Sequence, residues 1–335
     1  MVADDSFQDN QRIPDEPPGS IESDFVDWLA ARHGDRPHPV ALGDDAAVIA
    51  GRPDTEIVLA KDLLAEGTHF PNNIADASKR QLFLIGQKAV GVNLSDLAAM
   101  GAEPTGCLVA LVVPEALQLN QLKQLYAGVE SICGRFEVEL LGGDTNAWAG
   151  GLVVSTTVVG SVPTGTAWRR DGGQPGDLLA VTGPLGGSIL GRHWCETPRL
   201  REAQLVRRHA TVHAAIDISD GLSLDLWRMA TASGCGAVVR ADDIPIADSA
   251  QQLSRSGSGK SPLQHALTDG EDFELLLAIA PESLPRIASS PELADRLKII
   301  GRLEETPGLW LESKHGRRPI APRGYLHGSE NPTGE

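Results

Sequence analysis

Cysteine is scarce in this chain: there are four in 335 residues (Cys107, Cys133, Cys195 and Cys235), and none belongs to a CxxC pair. A disulfide framework would belong to a much shorter secreted chain, so four reduced thiols are expected, and zinc ribbons and redox motifs are unsupported. Neither HExxH nor GxSxG occurs, which removes zinc-protease and serine-hydrolase readings. Positive charge is also short. The 29 Lys+Arg stand against 45 Asp+Glu, a net charge of −16. Such a surface repels a phosphate backbone, so no nucleic-acid partner is expected, and any phosphate chemistry here needs cations to bridge it to the carboxylates. Long apolar runs are missing too. The longest, residues 107–113 and 275–280, fall far below the roughly 18 residues of a membrane span. The acidic start Met1-Val2-Ala3-Asp4-Asp5 has no apolar segment behind it, so no signal peptide is expected. A cytoplasmic chain without a membrane partner follows.

The length suffices for two domains with buried cores. Residues 1–19 are polar and proline-bearing and read as a disordered tail. Order is expected from Ser20, where Ile21, Phe25, Trp28 and Leu29 share one helical face that Gly34 can end. Strand-like runs follow at 56–60, 107–113, 138–141 and 152–159, with helical patterns at 77–100 and around Leu122, Leu125, Val129 and Ile132. Between 160 and 176 the composition shifts to Gly, Pro and Arg, the best candidate boundary. Beyond it, strands at 178–181, 214–218, 273–279 and 297–300 alternate with helices at 200–211, 222–232 and 282–297. The expected fold class is therefore α/β (α+β), two mixed-sheet domains at 20–163 and 164–335.

One arrangement recurs five times: an aspartate, often beside Gly or Ser, at the end of an apolar strand or within a helix. The instances are Asp44-Asp45, Asp62, Ser95-Asp96, Gly142-Gly143-Asp144-Thr145, and Asp217 with Ser219-Asp220. Taken singly, each has a plainer role as a cap or turn. Together, at strand ends that open onto a crevice, such acids need cations to hold them, and an all-oxygen set suits Mg²⁺ shared with substrate phosphates. Gly257-Ser258-Gly259-Lys260-Ser261 ends like a phosphate-binding loop, but Ser254 stands where the first glycine belongs and no strand leads in. A flexible loop is expected there.

Gly43-Asp44-Asp45-Ala46-Ala47, Asp62 with Glu66-Gly67 and His69-Phe70, the run Asn93-Leu94-Ser95-Asp96-Leu97-Ala98-Ala99-Met100-Gly101-Ala102, Gly142-Gly143-Asp144-Thr145, Asp217-Ile218-Ser219-Asp220-Gly221 and Gly270-Glu271-Asp272-Phe273 occur in this order. The series resembles the thiamine-monophosphate kinase family, within the aminoimidazole ribonucleotide synthetase-like superfamily, over residues 21–327. The resemblance implies direct, in-line, ATP-dependent phosphorylation of thiamine monophosphate with several Mg²⁺ ions and no phosphoenzyme. It also implies a homodimer in which N-terminal strands of two chains pair. Carried over position by position, Asp45, Asp62, Asp96, Asp144, Asp217 and Asp220 match metal ligands. Gly143, Asp144, Arg170 and Ser219 match ATP contacts, and His69, Glu271 and Tyr325 match substrate contacts. The sequence departs at Ala60-Lys61 before Asp62, where the family has two hydroxyl residues, so Asp44, Ala60 and Lys61 have no assigned role. Lys61 could take the place of one metal ion or point away. A lysine in the metal's place allows an alternative, a non-catalytic nucleotide- or thiamine-phosphate-binding homologue; another is a related superfamily enzyme with a different acceptor. Two smaller departures are Asp269-Gly270, in place of Gly-Gly, and the residues that follow Tyr325.

Overall fold

The computed structural model describes Trp28, Arg32, residues 53–194 and residues 197–325. The expected tail, most of the first helix and the Asp44-Asp45 motif lie outside the described residues. The first described strand, β1 (Thr55–Ala65), opens a four-stranded sheet with β2 (Glu103–Pro114), β3 (Glu139–Trp148) and β4 (Val153–Pro163), in the order β1-β4-β2-β3. All neighbours are antiparallel except β2 and β3. Helices α1 (Lys79–Ala99) and α2 (Leu119–Arg135) pack on each other, and α1 packs on the sheet.

Helix α1 starts where Ser78 and Gln81 form a reciprocal capping box. It is buried nearly all round, because the sheet of the second half covers it as well. That second sheet has seven strands in the order β11-β10-β7-β9-β5-β8-β6. They are β5 (Leu178–Val181), β6 (Val212–Ile218), β7 (Gly236–Arg240), β8 (Glu274–Ile279), β9 (Lys298–Glu304), β10 (Leu309–Ser313) and β11 (Gly316–Pro319). Between them run α3 (Leu200–His209), α4 (Leu222–Ala232), α5 (Asp248–Arg255), α6 (Pro262–Thr268), α7 (Leu284–Ala288) and α8 (Pro291–Arg296). Leu275, Leu277 and Ile279 of β8 belong to the same core as Leu94 and Leu97 of α1, so one continuous apolar layer joins the two halves.

Two sequence expectations change. The strand expected at 138–141 does not stop before the glycines; β3 carries Gly142, Gly143 and Asp144 in its middle. A Cβ on Gly143 would lie 1.8 Å from the Val109 carbonyl oxygen of β2, so glycine here permits two strands to approach rather than making a turn. The single helix expected at 282–297 is broken: α7 ends at Ala288 and α8 begins at Pro291. Proline supplies no backbone donor and pushes Ser290 before it to an extended conformation. Cys107, Cys133 and Cys235 are buried thiols, with the Cys107 and Cys133 sulfurs 3.6 Å apart. Among the described residues, no helix is long and apolar enough to cross a membrane.

One face of the four-stranded sheet has no cover among the described residues. Strand alternation sends Leu64 of β1 toward α1, and sends Ile57, Leu59 and Leu63 the other way, where they are 63%, 65% and 52% exposed. Leu108 of β2 and Trp148 of β3 are also exposed.

A carboxylate cleft between the two halves

The strand ends and α1 meet at a cleft of about 690 Å³, within the roughly 300–1,000 Å³ usual for small-ligand sites. Asp62 comes from β1 and Asp96 from the last turn of α1. Asp217 is the penultimate residue of β6, and Ser219 and Asp220 follow it. Glu271 lies just before β8, while His69 and Tyr325 complete the wall. Among the described residues, no three acidic, His or Cys side chains already form a metal cage.

The acids nevertheless act on one another. Burial raises the pKa of Asp96, and the charges of Asp217 and Asp62 raise it further. Burial likewise raises Asp217, against a 2.7 Å hydrogen bond donated by Ser95 Oγ. Asp62 is raised by burial alone. The Arg170 guanidinium works in the opposite sense on both Asp96 and Asp217, which places its charge within reach of them. A set of converging carboxylate oxygens of this kind fits a divalent cation such as Mg²⁺. Asp220 is held differently, by a 2.5 Å ion pair with Arg228 on α4; Arg228 also bonds the buried Asp225. Asp225 in turn accepts hydrogen bonds from the Asp220 and Gly221 amides.

His69, Glu271 and Tyr325 are set by their backbones. His69 Nδ1 accepts from the Ala65 amide at 3.0 Å, so the proton of the neutral ring sits on Nε2. Glu271 has φ +60°, an uncommon left-handed conformation for a residue with a side chain. It is held there by its amide donating to the Ser219 carbonyl at 2.6 Å. The Tyr325 amide donates to the Asp220 carbonyl at 2.9 Å, which pins the C-terminal segment beside the Ser219-Asp220 loop.

Asp144 and Gly143 do not join this cleft. Asp144 pairs with Ala110 on β2, while its neighbour Thr145 is buried, so its carboxylate stands on the open face of the sheet and is partnered by Asn146. Lys61 points to that open face as well, the side opposite Asp62, and its Nζ donates to Ser155 Oγ of β4 at 2.7 Å. Ala60 packs against the core. Lys61 therefore points away from the cleft carboxylates of its own chain, Asp62, Asp96, Asp217 and Asp220. Lys61→Thr is expected to keep turnover within about threefold of wild type, as an exposed substitution away from the cleft. A steady-state assay in which activity collapsed would give the lysine a working role.

The sequence reading missed Ser95 as the partner of Asp217, Asp225 and Arg228 as the clamp on Asp220, and Lys88. Lys88 did leave a trace: a charged residue between Ile85 and Ala89 in a helix that is otherwise apolar at this depth.

The chain is similar to known proteins over most of its length. The family model for the AIR synthase related protein N-terminal domain matches residues 43–162, and that for its C-terminal domain matches residues 174–312. The thiamine-monophosphate kinase of Rhodopirellula baltica is 38% identical over 319 residues, covering 92% of this chain and 98% of the relative. This chain belongs to the thiamine-monophosphate kinase family. A crystal structure of the family from Stenotrophomonas maltophilia is 31% identical with a TM-score of 0.72, covering 88% of this chain and 96% of the other. The structure of AaThiL complexed with AMPPCP and TMP has a TM-score of 0.71 at 27% identity, covering 90% and 95%. The family's two-domain, mixed-sheet architecture is the one described above.

Proposed function

We propose that this chain transfers the γ-phosphoryl group of ATP to the phosphate of thiamine monophosphate, releasing ADP and thiamine diphosphate. The observation that carries this reading is the convergence of Asp62, Asp96, Asp217 and Asp220, drawn from both sheets, on one cleft whose other wall holds His69, Glu271 and Tyr325. Donor and acceptor are both anionic, so the barrier is largely electrostatic, and phosphoryl transfer asks mainly for positioning and charge neutralisation. The aspartates would hold Mg²⁺, which supplies that neutralisation between the two phosphates. Arg170 adds a fixed positive fork on the same side, and Ser219 lies between the two C-terminal acids as a phosphate or ribose contact. His69, Glu271 and Tyr325 orient the acceptor.

The working unit in this reading is a homodimer paired through the uncovered face of the four-stranded sheet, where Ile57, Leu59 and Leu63 are exposed. Asp144 stands on that face, so any part it takes in nucleotide or metal binding requires the paired form.

The test is a Mg²⁺-dependent assay with ATP and thiamine monophosphate that detects thiamine diphosphate directly. Product is the expected result. Binding of both ligands without product would point to a non-catalytic homologue, and failure of thiamine monophosphate to bind would point to another acceptor. Glu271→Gln is expected to raise the KM for thiamine monophosphate by about tenfold while changing that for ATP little, as for loss of one charged contact. A larger effect on ATP would move Glu271 to the nucleotide side.

A further inference from the structure

Lys88 is the largest fully buried side chain of the described residues. A lysine is almost never fully buried unless its charge is paired. Its Nζ donates to Glu271 Oε1 at 2.5 Å and to the His69 carbonyl oxygen at 3.1 Å. These two partners come from different halves of the chain. His69 belongs to the loop after β1, and Glu271 to the loop before β8, 183 positions along the chain from Lys88. Lys88, Val92 and Asp96 lie at i, i+4 and i+8 on α1, one stripe of the helix, and the latter two line the cleft. The ammonium is thus set behind the wall, one helical turn deeper than Val92.

The pairing is asymmetric in a useful way. Lys88 takes Oε1 of Glu271, whereas Oε2 has no hydrogen bond among the described residues, and Glu271 itself lines the cleft with its side chain 33% exposed. The left-handed backbone at Glu271 fixes where the side chain begins. The buried ammonium fixes where it ends. We propose that Lys88 is a positioning residue for the acceptor subsite: by pinning Oε1 of Glu271 and the His69 carbonyl together, it presents the free Glu271 oxygen to a cationic or amino group of the acceptor. The inference rests on the kinase reading above, since it assigns the Glu271 side of the cleft to the acceptor. Thiamine monophosphate has both kinds of group, a thiazolium cation and an aminopyrimidine, and a carboxylate aimed at either forms a charge-assisted contact.

A lysine that only stabilised the contact between the two halves would affect both substrates through loss of fold. A lysine that aims Glu271 acts through Glu271 alone. Thermal melts, steady-state kinetics in each substrate and calorimetric binding of thiamine monophosphate without ATP should be compared for wild type, Lys88→Met, Glu271→Gln and the double variant. The expected result is that Lys88→Met raises the KM and Kd for thiamine monophosphate about tenfold, with the KM for ATP within about twofold. The double variant should be no worse than the more affected single variant, as for two residues acting as one unit. If Lys88→Met is too unstable to assay, Lys88→Gln, which keeps a donor for the His69 carbonyl, serves in the same cycle. Wild-type affinity in the Lys88 variant, equal losses for ATP and acceptor, or additive losses in the double variant would overturn the assignment while leaving the kinase reading intact. A wild-type chain that neither binds nor phosphorylates thiamine monophosphate overturns both.

Discussion

Asp96→Asn is expected to lower turnover by on the order of a thousandfold, the scale of losing one preorganised charge contact at a reacting phosphate, while the metal-free protein becomes more stable. The two effects share a cause. Asp96 is buried beside Asp217 and Asp62, and all three influences raise its pKa. The folded chain therefore keeps a proton that the unfolded chain releases near the ordinary aspartate value of about 3.9. With more protons bound in the folded state, stability falls as pH rises from roughly 5 to 8. Asparagine cannot ionise, so the variant should show a shallower decline over that range. In the proposed metal site Mg²⁺ would compete with the proton for the same oxygens, so it should raise the melting temperature of the wild type more at pH 8 than at pH 5.5. Melting curves at both pH values, with and without Mg²⁺, check the linkage, and single-turnover assays check the rate. Undiminished turnover in the variant would remove Asp96 from the metal site, and a pH slope unchanged from wild type would contradict its electrostatic role.

Leu59→Glu is expected to convert a dimer into a monomer at micromolar concentration. Leu59 is 65% exposed in the single chain and stands between Ile57 and Leu63 on the open face of β1. Covering such a side chain contributes about 1.5–3 kcal/mol. A twofold interface presents each substitution twice, so one mutation places two carboxylates in an apolar seam. An association loss of at least 100-fold should follow, read as a halved mass in sedimentation velocity. Leu59→Ala should weaken the dimer less. Turnover should fall with the mass, because Asp144 shares that face. A wild-type chain that sediments as a monomer would overturn the dimer, and a Leu59→Glu variant that remains dimeric would place the contact elsewhere.

Much of the architecture was legible because its signals are local. The apolar periodicity of α2 and the strands β5, β6 and β8 each announce themselves within a dozen residues. The break between Ala288 and Pro291 is marked in the sequence by the proline alone, inside a stretch at 282–297 that otherwise reads as one helix. The length of β1 was hidden for another reason: Lys61 and Asp62 look like a strand's end unless one knows that its two faces meet different surroundings. In the cleft, the Asp-Gly and Ser-Asp motifs name their own residue types, whereas Lys88 depends on a partner 183 positions away. Nothing near Lys88 in the sequence shows what its charge is for. The side of the sheet to which Asp144 points depends on strand register, which the motif alone does not state.

At the crossing of α1 and α2, a Cβ on Gly86 would lie 1.9 Å from the Leu125 carbonyl oxygen, and one on Gly128 the same distance from the Phe83 carbonyl oxygen. Each helix rests directly on the backbone of the other. Helix α1 is a stiff rod, and Asp96 lies ten residues beyond Gly86, about 15 Å along its axis. A single methyl at either glycine would act as a shim under that rod, delivering its displacement to the far end where the carboxylates meet. The alignment of the carboxylates thus leans on a contact that contains no charge, no polar side chain and no ligand.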